Sequence, residues 1–132
     1  MKQVLLALDT EETRASAQAE TVIDLFDTED IQAHLLHVFE DNPEGASVGQ
    51  LAAVRRAKER LEAAGIETVL VEESGDPIET VIQCADDLDA DAICIAGRKR
   101  SPAGKLMFGS VSQSVILNTE RPVLVCNAPK TA

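Results

Sequence analysis

The sequence contains no tryptophan and no tyrosine, and phenylalanine occurs only three times in 132 residues. Apolar residues nevertheless make up 45% of the chain, so a core must be built from Leu, Ile, Val and Ala. Short runs of these residues are typical of parallel strands that are covered by helices on both faces. The composition therefore favours an α/β protein, and the length suits one domain with its own core.

Long hydrophobic runs are also absent. No apolar run approaches the length of about 18 residues expected of a membrane helix, and Met1-Lys2-Gln3 leads directly into a short apolar segment. We therefore expect no membrane span and no signal peptide. The three cysteines, Cys84, Cys94 and Cys126, lie within apolar runs at spacings of 10 and 32 residues, which match no zinc or redox motif. We expect buried thiols in a reducing compartment, and hence a cytoplasmic protein.

Basic residues are few, because 12 Lys and Arg face 23 Asp and Glu and give a net charge of −11. This balance argues against nucleic-acid binding, which requires a basic surface. Residues 92–119 nevertheless contain no Asp or Glu, and they hold Arg98, Lys99, Arg100 and Lys105. Such a cationic segment indicates an anion site or a surface for an acidic partner, although cations that merely balance an acidic surface give the same pattern.

Apolar runs alternate with amphipathic segments along the chain. Strands are predicted at residues 3–8, 32–39, 67–72, 92–96 and 122–126, and helices at 11–26, 47–64, 76–88 and 110–117. Thr10, Ser47 and Asp76 are the predicted N-terminal helix caps. Strands that alternate with helices pair in parallel through right-handed crossovers. The predicted fold is a three-layer α/β/α sandwich with a five-stranded parallel sheet.

The loop after the fourth predicted strand leads to a helix start at Gly109. The first N–H groups of a helix have no intrahelical partner and favour an anion. The hydroxyls of Ser110 and Ser112 can donate to phosphate, and Arg98 and Arg100 supply planar, bidentate donors. The spacing differs from that of a P-loop, and no G-x-G-x-x-G motif occurs.

The chain resembles the universal stress protein family over nearly its whole length. The likeness is carried by VLLALDTEETRASA near the start, LLHV at 35–38, the apolar strand that ends at Gly97, and GSVSQSVILNTERPVLVC at 109–126. The resemblance implies the fold of the adenine-nucleotide alpha-hydrolase-like proteins, with strand order 3-2-1-4-5. It also implies a single family domain over residues 1–128, followed by a loose tail at 129–132.

ATP-binding members of that family carry G-x2-G-x9-G-[ST] after the fourth strand. Gly109-Ser110 matches the end of this motif and Gly97 its start, but Arg100 occupies the second glycine position and the spacing is one residue short. Aligned from Gly109 instead, the two earlier glycines fall on Ala96 and Lys99. The glycine motif is therefore incomplete in this chain.

Other family contacts are carried over to individual residues. The resemblance assigns Asp9 to the ribose, Ala7 and Val38 to the adenine, and residues 110–112 to the phosphates. The predicted binding residues are thus Ala7, Asp9, Val38, Ala96, Gly97, Arg98, Arg100, Gly109, Ser110, Val111 and Ser112. His34 and His37 lie three apart on one strand and point to opposite faces, so we predict no metal site and interpret His37 as a packed or rim histidine.

Three functions remain open at this point. The first is a regulatory stress-response protein that binds ATP or AMP, or a phosphate-like anion, without a required cofactor. The second is a homodimeric interaction module whose basic loop serves inorganic anions or acidic partners. The third is a slow nucleotide hydrolase, which ranks last because no nucleophile, activated base or metal-ligand set is evident. The resemblance also implies a homodimer, which we expect to form through the fifth strand.

Overall fold

The structure is a computed structural model that describes residues 1–40, 45, 47–97, 99–100 and 106–126, with the backbone only at 99, 100 and 106. The predicted tail at 129–132 lies outside these residues. The elements in chain order are β1 (Lys2–Ala7), α1 (Glu12–Leu25), β2 (Ile31–Phe39), a 3-10 turn (Val48–Gln50), α2 (Ala52–Ala63), β3 (Glu67–Ser74), α3 (Pro77–Leu88), β4 (Ala92–Ala96), β5 (Lys99–Arg100), β6 (Leu106–Met107), α4 (Ser110–Asn118) and β7 (Val123–Cys126).

Five strands form one parallel sheet in the order β3-β2-β1-β4-β7. Since β7 is the fifth predicted strand, this order confirms the predicted sandwich and the order 3-2-1-4-5. The strands β5 and β6 form a separate antiparallel pair inside the segment that the sequence predicts as a loop. Strands of two residues carry no hydrophobic alternation, so this pair has no sequence signal.

The two faces of the sheet carry separate hydrophobic clusters, which produces the three layers. In β1, Val4 and Leu6 face the cluster formed with α1 and α2, whereas Leu5 faces the cluster formed with α3 and α4. All three side chains are fully buried. Burying a side chain of this size contributes about 1.5–3 kcal/mol. Alternate residues of this one strand therefore pack against the helical layers on the two faces of the sheet.

Two helix starts differ from the predicted ones. Glu11, not Thr10, is the N-cap of α1, and its carboxylate accepts a hydrogen bond from the Thr13 N–H in the first turn of the helix. The helix predicted from Ser47 begins only at Ala52, because a 3-10 turn comes first. The Gln50 side chain closes that turn by accepting a hydrogen bond from the Ser47 N–H at 2.9 Å. Local side-chain hydrogen bonds of this kind compete with a regular helix start.

The start of α3 agrees with its sequence signal. Asp76 Oδ1 accepts hydrogen bonds from the N–H groups of Ile78 and Glu79 at 2.8 and 3.3 Å, and Pro77 occupies the first helical position. The cap places the first turn of α3 at the carboxyl end of the sheet. Among the helices of the described residues, none is long and apolar enough to cross a membrane.

Candidate functional site

A cavity of about 170 Å³ opens at the carboxyl ends of β1, β2 and β4, between the first turns of α3 and α4. The chain winds from β1 towards β3 on one side and from β4 to β7 on the other. In open parallel sheets, ligands bind at this reversal of the winding. The lining residues are Ala7, Leu8, Asp9, Gln18, Leu36, His37, Val38, Glu40, Pro77, Val81, Ile95, Ala96, Gly109, Val111, Ser112 and Val115.

Most of the predicted binding residues meet at this cavity. Seven of them line it: Ala7, Asp9, Val38, Ala96, Gly109, Val111 and Ser112. Gly97 is buried behind it and donates its N–H to the Cys126 carbonyl at 3.2 Å, and Ser110 is exposed at the start of α4. Arg98 lies outside the described residues, and Arg100 is described only by its backbone in β5. The binding role of all of these residues stays a prediction.

Asp9 is held at the rim of the cavity by two hydrogen bonds. Its Oδ1 accepts from the Glu11 N–H at 2.9 Å, and its Oδ2 accepts from Arg14 Nε at 2.8 Å. The Asp9 side chain keeps 41% of its exposure, so the carboxylate can accept a further hydrogen bond from a ligand hydroxyl. Arg14 offsets part of the negative charge that Asp9 would otherwise present to an anion. The sequence analysis did not identify this partner.

His37 is packed, as its sequence context suggested, and it also forms part of the cavity wall. Its Nδ1–H donates to the Leu8 carbonyl at 2.8 Å, and its ring meets the Phe39 ring edge to face at 4.8 Å. A carbonyl accepts only, so Nδ1 carries the proton and Nε2 of the neutral ring is an acceptor. Its position near the carboxyl end of β2 brings His37 to the cavity.

Gln18 is a wall residue that the sequence analysis did not identify. The β1–β4 pairing ends at Leu6 and Cys94, so the next carbonyl of β1 and the carbonyl of Cys94 need other partners. Gln18 Nε2 donates to Ala7 O at 3.0 Å and to Cys94 O at 3.1 Å, and the residue is only 1% exposed. The available signal was a polar residue on the apolar face of α1, three positions after Ala15.

The N-terminus of α4 opens toward the same cavity. Gly109 is its N-cap with φ −72°, and no side chain caps the helix. Any residue can adopt this φ, so the backbone does not require glycine there. The missing side chain instead leaves the first N–H groups accessible. Ser112 Oγ lies 3.5 Å from the Ala96 carbonyl, a long contact that leaves the hydroxyl available to a ligand.

Charged groups around the cavity are sparse. Asp9 and Glu40 are the acidic residues of the lining, and the partial positive charge of the α4 N-terminus lies across from them. Within the described residues, no group of three or more His, Cys, Asp or Glu is placed to hold a metal ion. The site therefore combines an apolar floor with one anion-favouring end.

The sequence model of the universal stress protein family matches residues 1–127. The chain belongs to this family. A universal stress protein of Mycolicibacterium smegmatis is 41% identical over 49 residues, which is 37% of this chain and 38% of that protein. The matched segments thus span well under two thirds of the curated relatives.

Solved universal stress proteins share the complete fold. One from Archaeoglobus fulgidus has a TM-score of 0.72 at 26% identity, covering 96% of this chain and 98% of the other. A second from Archaeoglobus fulgidus, solved in complex with dAMP, has a TM-score of 0.69 at 20% identity, again covering 96% and 98%. At 20% identity the second likeness establishes the fold alone.

The Gln18 bridge gives a first test of the site's architecture. We expect Gln18→Leu to cost about 1–3 kcal/mol of unfolding free energy, because it removes the donor of one buried and one part-buried carbonyl at nearly unchanged volume. Chemical denaturation measures this loss. The matched control is Gln83→Leu, since exposed Gln83 donates only to Asp87 one turn away and should change stability by less than about 0.5 kcal/mol. Equal losses in the two variants would contradict the bridging role.

Proposed function

We propose that this universal stress protein binds an adenine nucleotide, ATP or AMP, at the carboxyl end of its sheet, and that it acts by binding rather than by catalysis. The carrying observation is that one cavity brings Ala7, Asp9 and Val38 together with the uncapped N-terminus of α4. Apolar walls, a carboxylate and free N–H groups are the three surfaces that a base, a ribose and a phosphate require.

The dimensions of the cavity favour a base inside it and the rest of the nucleotide at its mouth. Its volume of about 170 Å³ lies below the range of about 300–1,000 Å³ that is typical of complete ligand pockets. Apolar residues cover its floor: Ala7, Leu36, Val38, Val81, Ile95 and Val115. A planar base can stack on these walls, and the ribose and phosphates would then reach Asp9 and the start of α4.

The phosphate end is supported by charge as well as by the helix. Residues 92–119 carry no carboxylate in a chain of net charge −11, so α4 and its preceding loop form the least acidic part of the molecule. Arg98 and Arg100 belong to this segment and supply the bidentate donors that phosphate prefers. The related Archaeoglobus fulgidus protein with bound dAMP has the same fold, which supports a nucleotide as the ligand class.

The residues that line the cavity favour nucleotide binding over nucleotide hydrolysis. Asp9 is paired with Arg14, and the Nδ1–H of His37 is engaged by the Leu8 carbonyl. No hydrogen bond among the described residues links a lining hydroxyl to His37 or to Asp9, so a base-activated nucleophile is not assembled. A slow nucleotide hydrolase therefore stays the last of the three candidates.

An anion-binding interaction module is the second candidate, because the charge distribution supports it without reference to the base pocket. The cationic segment could hold inorganic phosphate or an acidic partner while the cavity stays unused. This candidate and the first differ in one measurable property. A nucleotide site discriminates between bases, and an anion module does not.

We expect isothermal titration calorimetry to detect binding of AMP and ATP with dissociation constants in the micromolar to millimolar range. These constants correspond to binding free energies of about −8 to −4 kcal/mol. GTP should bind more weakly. Phosphate release should be absent during the titrations. Gly109→Val should weaken AMP binding, because its side chain obstructs the helix N-terminus while the φ of −72° remains allowed. Heat from phosphate or sulfate but from no nucleotide would favour the anion module.

The double replacement Arg98→Gln and Arg100→Gln tests the cationic segment. If both side chains hold phosphate, each lost charge-assisted hydrogen bond should cost about 1.5–3 kcal/mol of AMP binding. The control is Arg55→Gln with Arg56→Gln, which removes the same net charge from α2 instead. Calorimetry of both variants shows whether Arg98 and Arg100 contact the phosphate directly or only contribute to the overall charge of the protein. Equal affinities in all three proteins would remove the arginines from the site.

We also propose a homodimer formed through β7. Within the described sheet, β7 has a neighbour on one side only, and Val125 on that strand is 39% exposed. Light scattering should give the dimer mass for the wild type, and Val125→Lys should shift it toward the monomer. Leu25→Lys on α1, an equally polar change at an exposed leucine, should leave the dimer intact. A wild-type monomer at high protein concentration in both low and high salt contradicts this proposal.

A further inference from the structure

Two of the three cysteines meet inside the protein, away from the lining of the cavity. Cys94 in β4 and Cys126 in β7 place their sulfur atoms 3.1 Å apart, and both are free thiols. Cys94 is 0% exposed and Cys126 is 1% exposed. The strand register pairs Ala96 with Cys126, so the two cysteines are diagonal neighbours on the face covered by α1. Cys84 lies in α3, in the opposite cluster.

The two thiols are chemically unequal. The hydrogen bond with Cys126, together with burial, raises the pKa of the Cys94 thiol well above its usual value. The same hydrogen bond, donated by Cys94, lowers the pKa of the Cys126 thiol, and Thr21 adds to this effect. A thiolate, not a thiol, attacks a peroxide. Cys126 is also the last residue of the edge strand β7, whereas Cys94 lies in β4 between two strands. Both observations favour Cys126 as the nucleophilic sulfur and Cys94 as its resolving partner.

We propose that Cys94 and Cys126 form a reversible intramolecular disulfide when the protein meets hydroperoxides. The Cys126 thiolate attacks a peroxide oxygen, the O–O bond breaks, and Cys126 becomes a sulfenic acid. The leaving hydroxide or alkoxide takes up the proton that Cys126 released on ionisation and departs as water or an alcohol. Cys94 Sγ then attacks the sulfenic sulfur, the S–O bond breaks, and hydroxide leaves as water with the Cys94 proton. For hydrogen peroxide, two thiols are oxidised to one disulfide and one peroxide is reduced to two waters. A dithiol reductant reverses the reaction by exchange.

The fold allows the reaction with little rearrangement. The sulfur atoms need to approach from 3.1 Å to a bond length of about 2.05 Å. β7 lies at the edge of the sheet and Cys126 is its last residue, so a local opening there breaks fewer contacts than one at a central strand. Both side chains face α1 rather than the free edge of β7. Pairing of that edge in a homodimer therefore leaves the cysteine pair intact.

The disulfide would act on the framework of the cavity. The Cys126 carbonyl accepts the N–H of Gly97, the residue before Arg98, and the Cys94 carbonyl accepts from Gln18. A covalent link between these two residues ties the carboxyl ends of β4 and β7 together directly behind the cavity. The inference itself rests on the two sulfur atoms and is independent of whether a nucleotide binds.

The test treats the folded protein with hydrogen peroxide, then unfolds it in the presence of a maleimide and counts the labelled thiols by mass spectrometry. We expect one labelled thiol, Cys84, and a linked peptide pair that contains Cys94 and Cys126. The variant Cys84→Ser should lose both of its thiols, gain thermal stability on oxidation, and recover its reduced Tm with dithiothreitol. Cys94→Ala and Cys126→Ala should form no intramolecular disulfide.

Three results would overturn the proposal. All thiols could stay reduced at a peroxide concentration that oxidises the protein in urea. Cys126 could advance to the sulfinic or sulfonic acid without a link to Cys94, or the disulfide could involve Cys84 or a second molecule. Because Cys84→Ser retains both members of the pair, it decides the question even if the alanine variants fail to fold.

Discussion

The separation of β1 and β4 at their carboxyl ends is the constraint on which the rest of this structure depends. The two strands run side by side until Leu6 and Cys94, where their ladder of hydrogen bonds ends. Beyond that point the chain winds away on opposite sides of the sheet, and unpaired carbonyls remain inside the protein. Buried carbonyls without donors destabilise a fold. The amide of Gln18 supplies both missing donors from α1, and Gln18 also lines the cavity at this point.

Three different elements around this gap supply the three surfaces of the cavity. The sheet supplies an apolar floor, the turn after β1 supplies a carboxylate that Arg14 holds in place, and the start of α4 supplies free N–H groups. None of these features is unusual alone. Their meeting at one point follows from the strand order, because the first and fourth strands are neighbours although about 90 residues separate them in the chain.

The carboxyl end of β4 contributes to two sites at once. The backbone carbonyls of Cys94 and Ala96 accept hydrogen bonds from side chains that line the cavity, whereas the Cys94 sulfur faces Cys126 in the core below. A short central strand thus connects the cavity at its carboxyl end to the buried cysteine pair in the core. Packed cores transmit small displacements because they have few voids to absorb them.

The local sequence determined the five strands of the main sheet, the four helices and the layers, because hydrophobic periodicity and caps such as Asp76 act within a few residues. It did not determine the starts of α1 and α2 or the β5–β6 pair. It also assigned seven residues that line the cavity, with the help of a family resemblance that supplied the strand order. The tertiary structure alone decided what depends on strands meeting in space. The pairing of Cys94 with Cys126, the bridge made by Gln18 and the contact of Arg14 with Asp9 join side chains whose partners are set by register and helix docking. Hydrophobic periodicity predicts which face of an element a residue occupies. Only the packing of the helices on the sheet determines which residue it contacts there.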